Sequence, residues 1–214
     1  MEYITASCVI SDQIVYKDEV RLALPASPPS APALPAPAPA DFLLSVYQHF
    51  DLQYPRFYKM DNLSKLGWLA SELLLKGSFH PADYRPEDIA VVLSNANSSL
   101  DTDYKYMDTT TDIPSPSVFV YTLPNIMIGE ICIRNTFKGE NAFFLFESFD
   151  AGFLERYVHC LLKEDIARAC ICGWVELLGN DYKAALFLVE KEPAAEANIF
   201  TAKNMDRIFQ TQNS

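Results

Sequence analysis

The residues able to do chemistry are few and scattered. Ser148 stands in FESFD, between the apolar run Ala142–Phe146 and the amphipathic run Asp150–Lys163. A hydroxyl at such a strand-to-helix turn lies beside the positive end of a helix, but a serine becomes a nucleophile only with a base beside it. No base stands near it in the sequence. Capping of the following helix, by Ser148 or by Asp150, is the structural alternative, and Glu147 and Asp150 are both favoured near a helix N-terminus. The three histidines, His49, His80 and His159, are far apart. His159 falls on the polar side of the Asp150–Lys163 pattern and His80 precedes Pro81, where solvated or satisfied imidazoles are the rule. Cys170 and Cys172, two apart on an apolar run, point to one face of a strand and would join a metal site only if further His or Cys ligands converged on them. No second pair stands at zinc-like spacing. Cofactor and metal sites are therefore expected to be absent. Gly129 and Gly139 do not form a phosphate-cradling pattern.

These residues need elements to position them, and hydrophobic period supplies most of these. The first strand is expected within Glu2–Ile14. Residues 24–40 form a proline/alanine-rich insertion, with seven prolines in the fifteen residues Pro25–Pro39. Such a stretch favours extended polyproline II and reads as a linker, or alternatively as a proline-rich ligand for an aromatic groove. Asp41–Phe50 is a short amphipathic segment and Tyr54–Tyr58 an aromatic turn. Asp61 caps a helix through Leu63, Leu66, Leu69, Leu73 and Leu74, which Gly77 ends. Asp88–Leu93 (DIAVVL) is a strand covered on both faces, and Ser94–Asp103 reads as a polar loop. Phe119–Gly152 reads as strand end, turn, helix over Asn125–Phe137, turn at Lys138-Gly139, buried strand Ala142–Phe146, and sharp entry into the next helix. Ala167–Leu177 and Tyr182–Glu190 form a hairpin across Gly179-Asn180, and residues 191–214 read as a weakly structured tail. The order β-(linker)-α-β-α-β-α-β-β predicts an α/β fold: a mostly parallel five-stranded sheet with an antiparallel edge strand, and helices on both faces.

Composition narrows the function. The chain has 214 residues, half of them hydrophobic and 13% aromatic, enough for one packed domain over residues 1–190. Net charge is −11, with no basic run, which disfavours nucleic acid as a partner and opposes direct docking of a strongly acidic protein. Five cysteines, mostly in apolar runs, suit a reducing compartment. The first residues lack the basic region of a signal peptide and no window reaches the ~18 apolar residues of a membrane helix, so a cytoplasmic protein with no membrane partner is expected.

Taken together and in order, IAVVLSNANSSLDTD, PSPSVFVYTLPNIMIGEICIRNTFKGENAFFLFES and ACICGWVE resemble the N-terminal half of a β-ketoacyl synthase of the thiolase superfamily, and KMDNLSKLGWLASELLL resembles the helix before those blocks. The likeness covers roughly residues 1–14 and 55–190 and implies the thiolase-like half-fold. It also implies a nucleophilic cysteine at the start of the helix after Ala142–Phe146. Counted from Gly139, that position falls on Ser148 or Phe149, and neither supplies a thiolate. The catalytic histidines and lysine of the family belong to a C-terminal half with no counterpart here, and none of His49, His80 or His159 maps to them. Half of a thiolase-like fold is expected to leave apolar helix surface to cover, partly resurfaced by the polar side of Asp150–Lys163. The resemblance therefore implies a half-length, non-catalytic accessory subunit for fatty-acid or polyketide-type (aryl-polyene-like) synthesis. Its partner would be a full-length ketosynthase or a second copy, with an acyl carrier protein engaged only indirectly. Two other readings stay open: an acyltransferase or hydrolase using Ser148, or a synthase completed in trans, and an interaction module with no acyl ligand.

Overall fold

The computed structural model describes residues 1–24, 37–111, 113–192 and 197–210. The proline-rich stretch at 25–36 lies outside the described residues. Among the described residues eight strands form one sheet: β1 (Tyr3–Ser11), β2 (Ile14–Lys17), β3 (Val20–Arg21), β4 (Ile89–Asn95), β5 (Asn141–Leu145), β6 (Ala169–Leu178), β7 (Asp181–Glu190) and β8 (Asn198–Ile199). Their order is β3-β2-β1-β7-β6-β4-β5, with β8 also pairing β1. β4 runs parallel to β5 and β6, whereas β7 is antiparallel to both β6 and β1. Thus β1, β4, β5 and β6 share one direction, and the sheet is mostly but not wholly parallel.

Among the described residues seven α-helices accompany it: α1 (Pro39–His49), α2 (Asn62–Leu75), α3 (Leu100–Thr109), α4 (Pro116–Phe119), α5 (Asn125–Asn135), α6 (Ala151–Lys163) and α7 (Ala202–Gln210). Strand alternation divides the core in two. Ile89, Val91 and Leu93 of β4, with Ile171 of β6 and Leu186 and Leu188 of β7, pack with residues of α1, α2 and α5. Ala90, Val92, Cys170, Cys172, Phe187 and Val189 pack on the opposite side with residues of α6 and α7. α2 begins where the Asp61 carboxylate accepts from Ser64 N at 2.9 Å, and Gly77 follows its end at φ +75°.

Several expectations are corrected. The sheet has eight strands rather than five, and its antiparallel core strand, β7, is interior because β1 pairs on its far side. The edge is held instead by β5, which is half-buried rather than buried. Ser94–Asp103 is not all loop, since α3 starts at Leu100, and the expected strand end at Phe119 is helical. The expected weak tail contains β8 and α7, with Phe200, Met205 and Ile208 buried in the second core. The first strand stops at Ser11 because Asp12 and Gln13 both take positive φ and turn the chain into β2; Asp18 and Glu19 repeat this before β3.

Candidate functional site

β5 ends at Leu145, and α6 begins at Ala151 after five intervening residues. Asp150 makes the cap, its Oδ1 accepting from Phe153 N at 2.8 Å. The carboxylate therefore occupies the positive end of the helix. Ser148 does not share that role: it is exposed, and its Oγ has no hydrogen-bond partner among the described residues. It lies in a shallow depression of about 420 Å³ lined by residues 146–152 and Asp206. Glu147, Asp150 and Asp206 make this an acidic surface with no cation in its lining. No imidazole reaches it. His159 bonds Glu2 Oε1 at 3.1 Å, and His49 lies edge-on to Phe50, ring centres 4.8 Å apart.

Phe149 turns the other way, into the core. Its ring stacks on Phe209 of α7, centroids 4.4 Å apart and planes within 16°, and meets Phe187 and Trp174 at 6.3 Å. Lys183 Nζ sits 4.0 Å from the Phe209 centroid, a cation–π contact that closes the outer side of the stack. Burial pushes the Lys183 amine below its usual range. The carboxyl end of the sheet, where α/β folds place their ligands, is thus filled here by aromatic side chains. α7 supplies the covering ring and is tied down by Glu155, whose carboxylate accepts from Ala202 N at 2.8 Å, and by the Arg207–Glu19 ion pair.

Neighbouring loops are fixed in the same manner. Glu176 Oε2 accepts from Ala96 N and Asn97 N at 2.7 and 3.1 Å, so the backbone donors behind β4 are occupied by a carboxylate of the chain itself. Cys170 and Cys172 are fully buried, and burial raises the Cys170 thiol well above its usual range. These are packed thiols. No group of three or more His, Cys, Asp or Glu residues converges as a metal site among the described residues.

A carboxylate cluster went unnoticed in the sequence. Glu130 on α5 is buried, accepts two hydrogen bonds from Arg56 at 3.0 and 2.8 Å, and accepts from the hydroxyls of Tyr54 and Tyr121 at 3.1 and 3.3 Å. Burial, then the Glu130 charge, pushes Tyr121 up to about 12. The signal was a lone acid in the apolar run NIMIGEICI. With four donors on one carboxylate, the cluster is a satisfied tie between α5 and the segment before α2. His80 lies elsewhere, in a polar groove of about 880 Å³ at the amino ends of β4 and β6, with Tyr84, Arg85, Arg168 and Glu190.

No protein-family model and no curated protein matches the chain. Solved structures do. The ishigamide ketosynthase/chain length factor superposes with TM-score 0.63 at 20% identity, over 92% of this chain and 63% of that one. A ketosynthase in complex with its chain length factor from Xenorhabdus doucetiae gives 0.52 at 15% identity, over 73% of each chain. A β-ketoacyl synthase from Burkholderia phymatum gives 0.56 at 10% identity, over 89% of this chain and 59% of that one. The fold is that of a thiolase-like ketosynthase. The chain spans a little under two thirds of the first of these proteins. Within this ketosynthase fold, the turn after β5 presents an unassisted serine outward and a phenyl ring inward. It lacks a thiol.

Proposed function

We propose that this chain is a non-catalytic ketosynthase-type subunit that works beside a complete ketosynthase in fatty-acid or polyketide-type, aryl-polyene-like chain synthesis. One observation carries the reading: at the turn where the family resemblance implies a nucleophile, on Ser148 or Phe149, Phe149 is packed under Phe209 and Ser148 has no base. Acyl transfer needs an activated nucleophile and donors aimed at the developing oxyanion. Here the helix N-terminus is occupied by Asp150 and the nearby backbone donors Ala96 and Asn97 by Glu176. Two of the similar structures are described as a ketosynthase with its chain length factor, which supports a role as the partner rather than the catalyst. The −11 charge supports a carrier-protein contact made through the ketosynthase of the pair rather than through this chain.

The test is reconstitution with the ketosynthase of the native host, following malonyl-dependent condensation and product length. The chain alone is expected to be inactive, and its addition to change the length or yield of the product. Condensation by the chain alone, or a ketosynthase whose products and mass do not change when it is added, refutes the proposal.

A further inference from the structure

The carboxyl end of the sheet holds a second depression, of about 340 Å³, beside the Phe149–Phe209 stack. Its lining includes Lys183 of β7, Trp174, Glu176 and Leu178 of β6, Asn97 behind β4 and Asn180 in the β6–β7 turn. Glu176 stands directly opposite Lys183 across the β6–β7 ladder, where an ion pair is the ordinary outcome. Both oxygens of that carboxylate are occupied elsewhere, Oε2 by Ala96 N and Asn97 N and Oε1 by Leu177 N. Among the described residues no carboxylate comes within ion-pair distance of Lys183 Nζ, which rests instead 4.0 Å from the centre of the Phe209 ring. A phenyl face steadies an ammonium but leaves the lone pair of the neutral amine free. Burial favours that neutral form more than the nearby Asp12 charge opposes it.

Two further groups in the same hollow are uncommitted. The side-chain amides of Asn97 and Asn180 make no hydrogen bond among the described residues. Each carries an NH2 donor of the type that stabilises the oxyanion formed when an amine attacks a carbonyl. Trp174 and Leu178 add apolar wall. A free amine, amide donors and an apolar wall suit an activated carbonyl compound. Oxygen esters and amides react slowly with an amine near neutral pH, whereas a thioester is activated for this attack.

We infer that Lys183 is an acylation site for small acyl thioesters. Nζ attacks the thioester carbonyl, the carbon–sulfur bond breaks and an amide bond forms. The departing thiolate takes up the proton that the nitrogen loses, so the products are an acylated lysine and a free thiol, and nothing is oxidised or reduced. The amide carries no charge, and the cation–π contact with Phe209 ends with the reaction. The chain is an acceptor that reacts once and does not turn over. No ketosynthase takes part, so failure of this reaction leaves the proposed function standing.

The purified chain incubated with S-acetyl-N-acetylcysteamine, treated with hydroxylamine and digested gives the rate at each lysine by mass spectrometry. Hydroxylamine strips esters and thioesters, which removes any adduct on Ser148 or Cys160 and keeps an amide. Lys65 is the internal comparison: it is also half-buried and lies over a ring, Phe57, at 5.6 Å, but does not line the depression. Lys183 is expected to react at least about tenfold faster than Lys65, a modest effect beside that of a full oxyanion hole. The double variant Asn97→Ala/Asn180→Ala should lower the Lys183 rate about threefold or more and leave Lys65 unchanged. Lys183→Arg, which keeps a cation over Phe209, should remove the fast adduct from the intact mass. Equal rates at Lys183 and Lys65, a Lys183 rate indifferent to loss of both amides, or adducts that hydroxylamine removes entirely overturn the inference.

Discussion

Truncating Phe149 tests whether the turn after β5 is closed by packing. Phe→Ala in a full core costs about 3–5 kcal/mol. Phe149 is half-buried, so roughly half of that, about 2 kcal/mol, is expected for Phe149→Ala, including a contribution of about 1 kcal/mol from its stack on Phe209. In a chain of this size the loss corresponds to a fall in Tm of about 4–8 °C. The double-mutant cycle with Phe209→Ala isolates the pair: the two single changes should exceed the double by about 1 kcal/mol in urea unfolding. A Phe149→Ala cost below about 0.5 kcal/mol, the range of ordinary surface substitutions, or strictly additive effects, would refute the view that α7 seals this turn. Ser148→Ala, in the same assay, should leave stability unchanged.

Alkaline pH reports on the Glu130 cluster. The Tyr121 hydroxyl titrates at about 12 in the folded chain against an ordinary 10.0, so the folded state holds the proton more tightly than the unfolded one. Its contribution is complete below pH 10 and is lost as pH rises through 12. Urea midpoints measured across that window should fall less steeply in Tyr121→Phe, and an unchanged slope contradicts the assignment. Gly173 lies in β6 at φ +151°, where an added Cβ would come within 2.0 Å of the Ala185 carbonyl oxygen of β7. Gly173→Ala should therefore cost about 3 kcal/mol or more, and a variant as stable as the wild type in thermal unfolding would show that the hairpin can open to accommodate it.

The elements legible in the sequence were those whose local signals and burial agree. α2 carries a capping aspartate, a leucine stripe and a following glycine. β4 is a continuous apolar run because helices pack on both faces of the sheet there, and β6 and β7 flank an evident Gly-Asn turn. The β1–β2 and β2–β3 hairpins were missed because their turns use Asp-Gln and Asp-Glu at positive φ, without the glycine that normally announces them. α3 was missed because Thr102 is its single buried residue, so it has almost no apolar stripe to read. β5 looked buried from its phenylalanines, but Phe143 and Phe144 serve opposite faces of an edge strand. At the site, Asp150 was legible as a cap because capping is local. The closing partner of Phe149 was not, since Phe209 is sixty residues away on a helix whose apolar positions, Met205, Ile208 and Phe209, span little more than one turn.

A turn after β5 that supports no condensation, in a chain that acts through a ketosynthase, has a direct consequence for turnover. A malonyl-condensation assay on the purified chain, its Phe149→Cys variant, and the chain reconstituted with the ketosynthase of its host tests this most directly. No turnover is expected from the first two, and altered product length or yield from the third. Turnover by the wild-type chain alone, or condensation created by the single Phe149→Cys change, would contradict it.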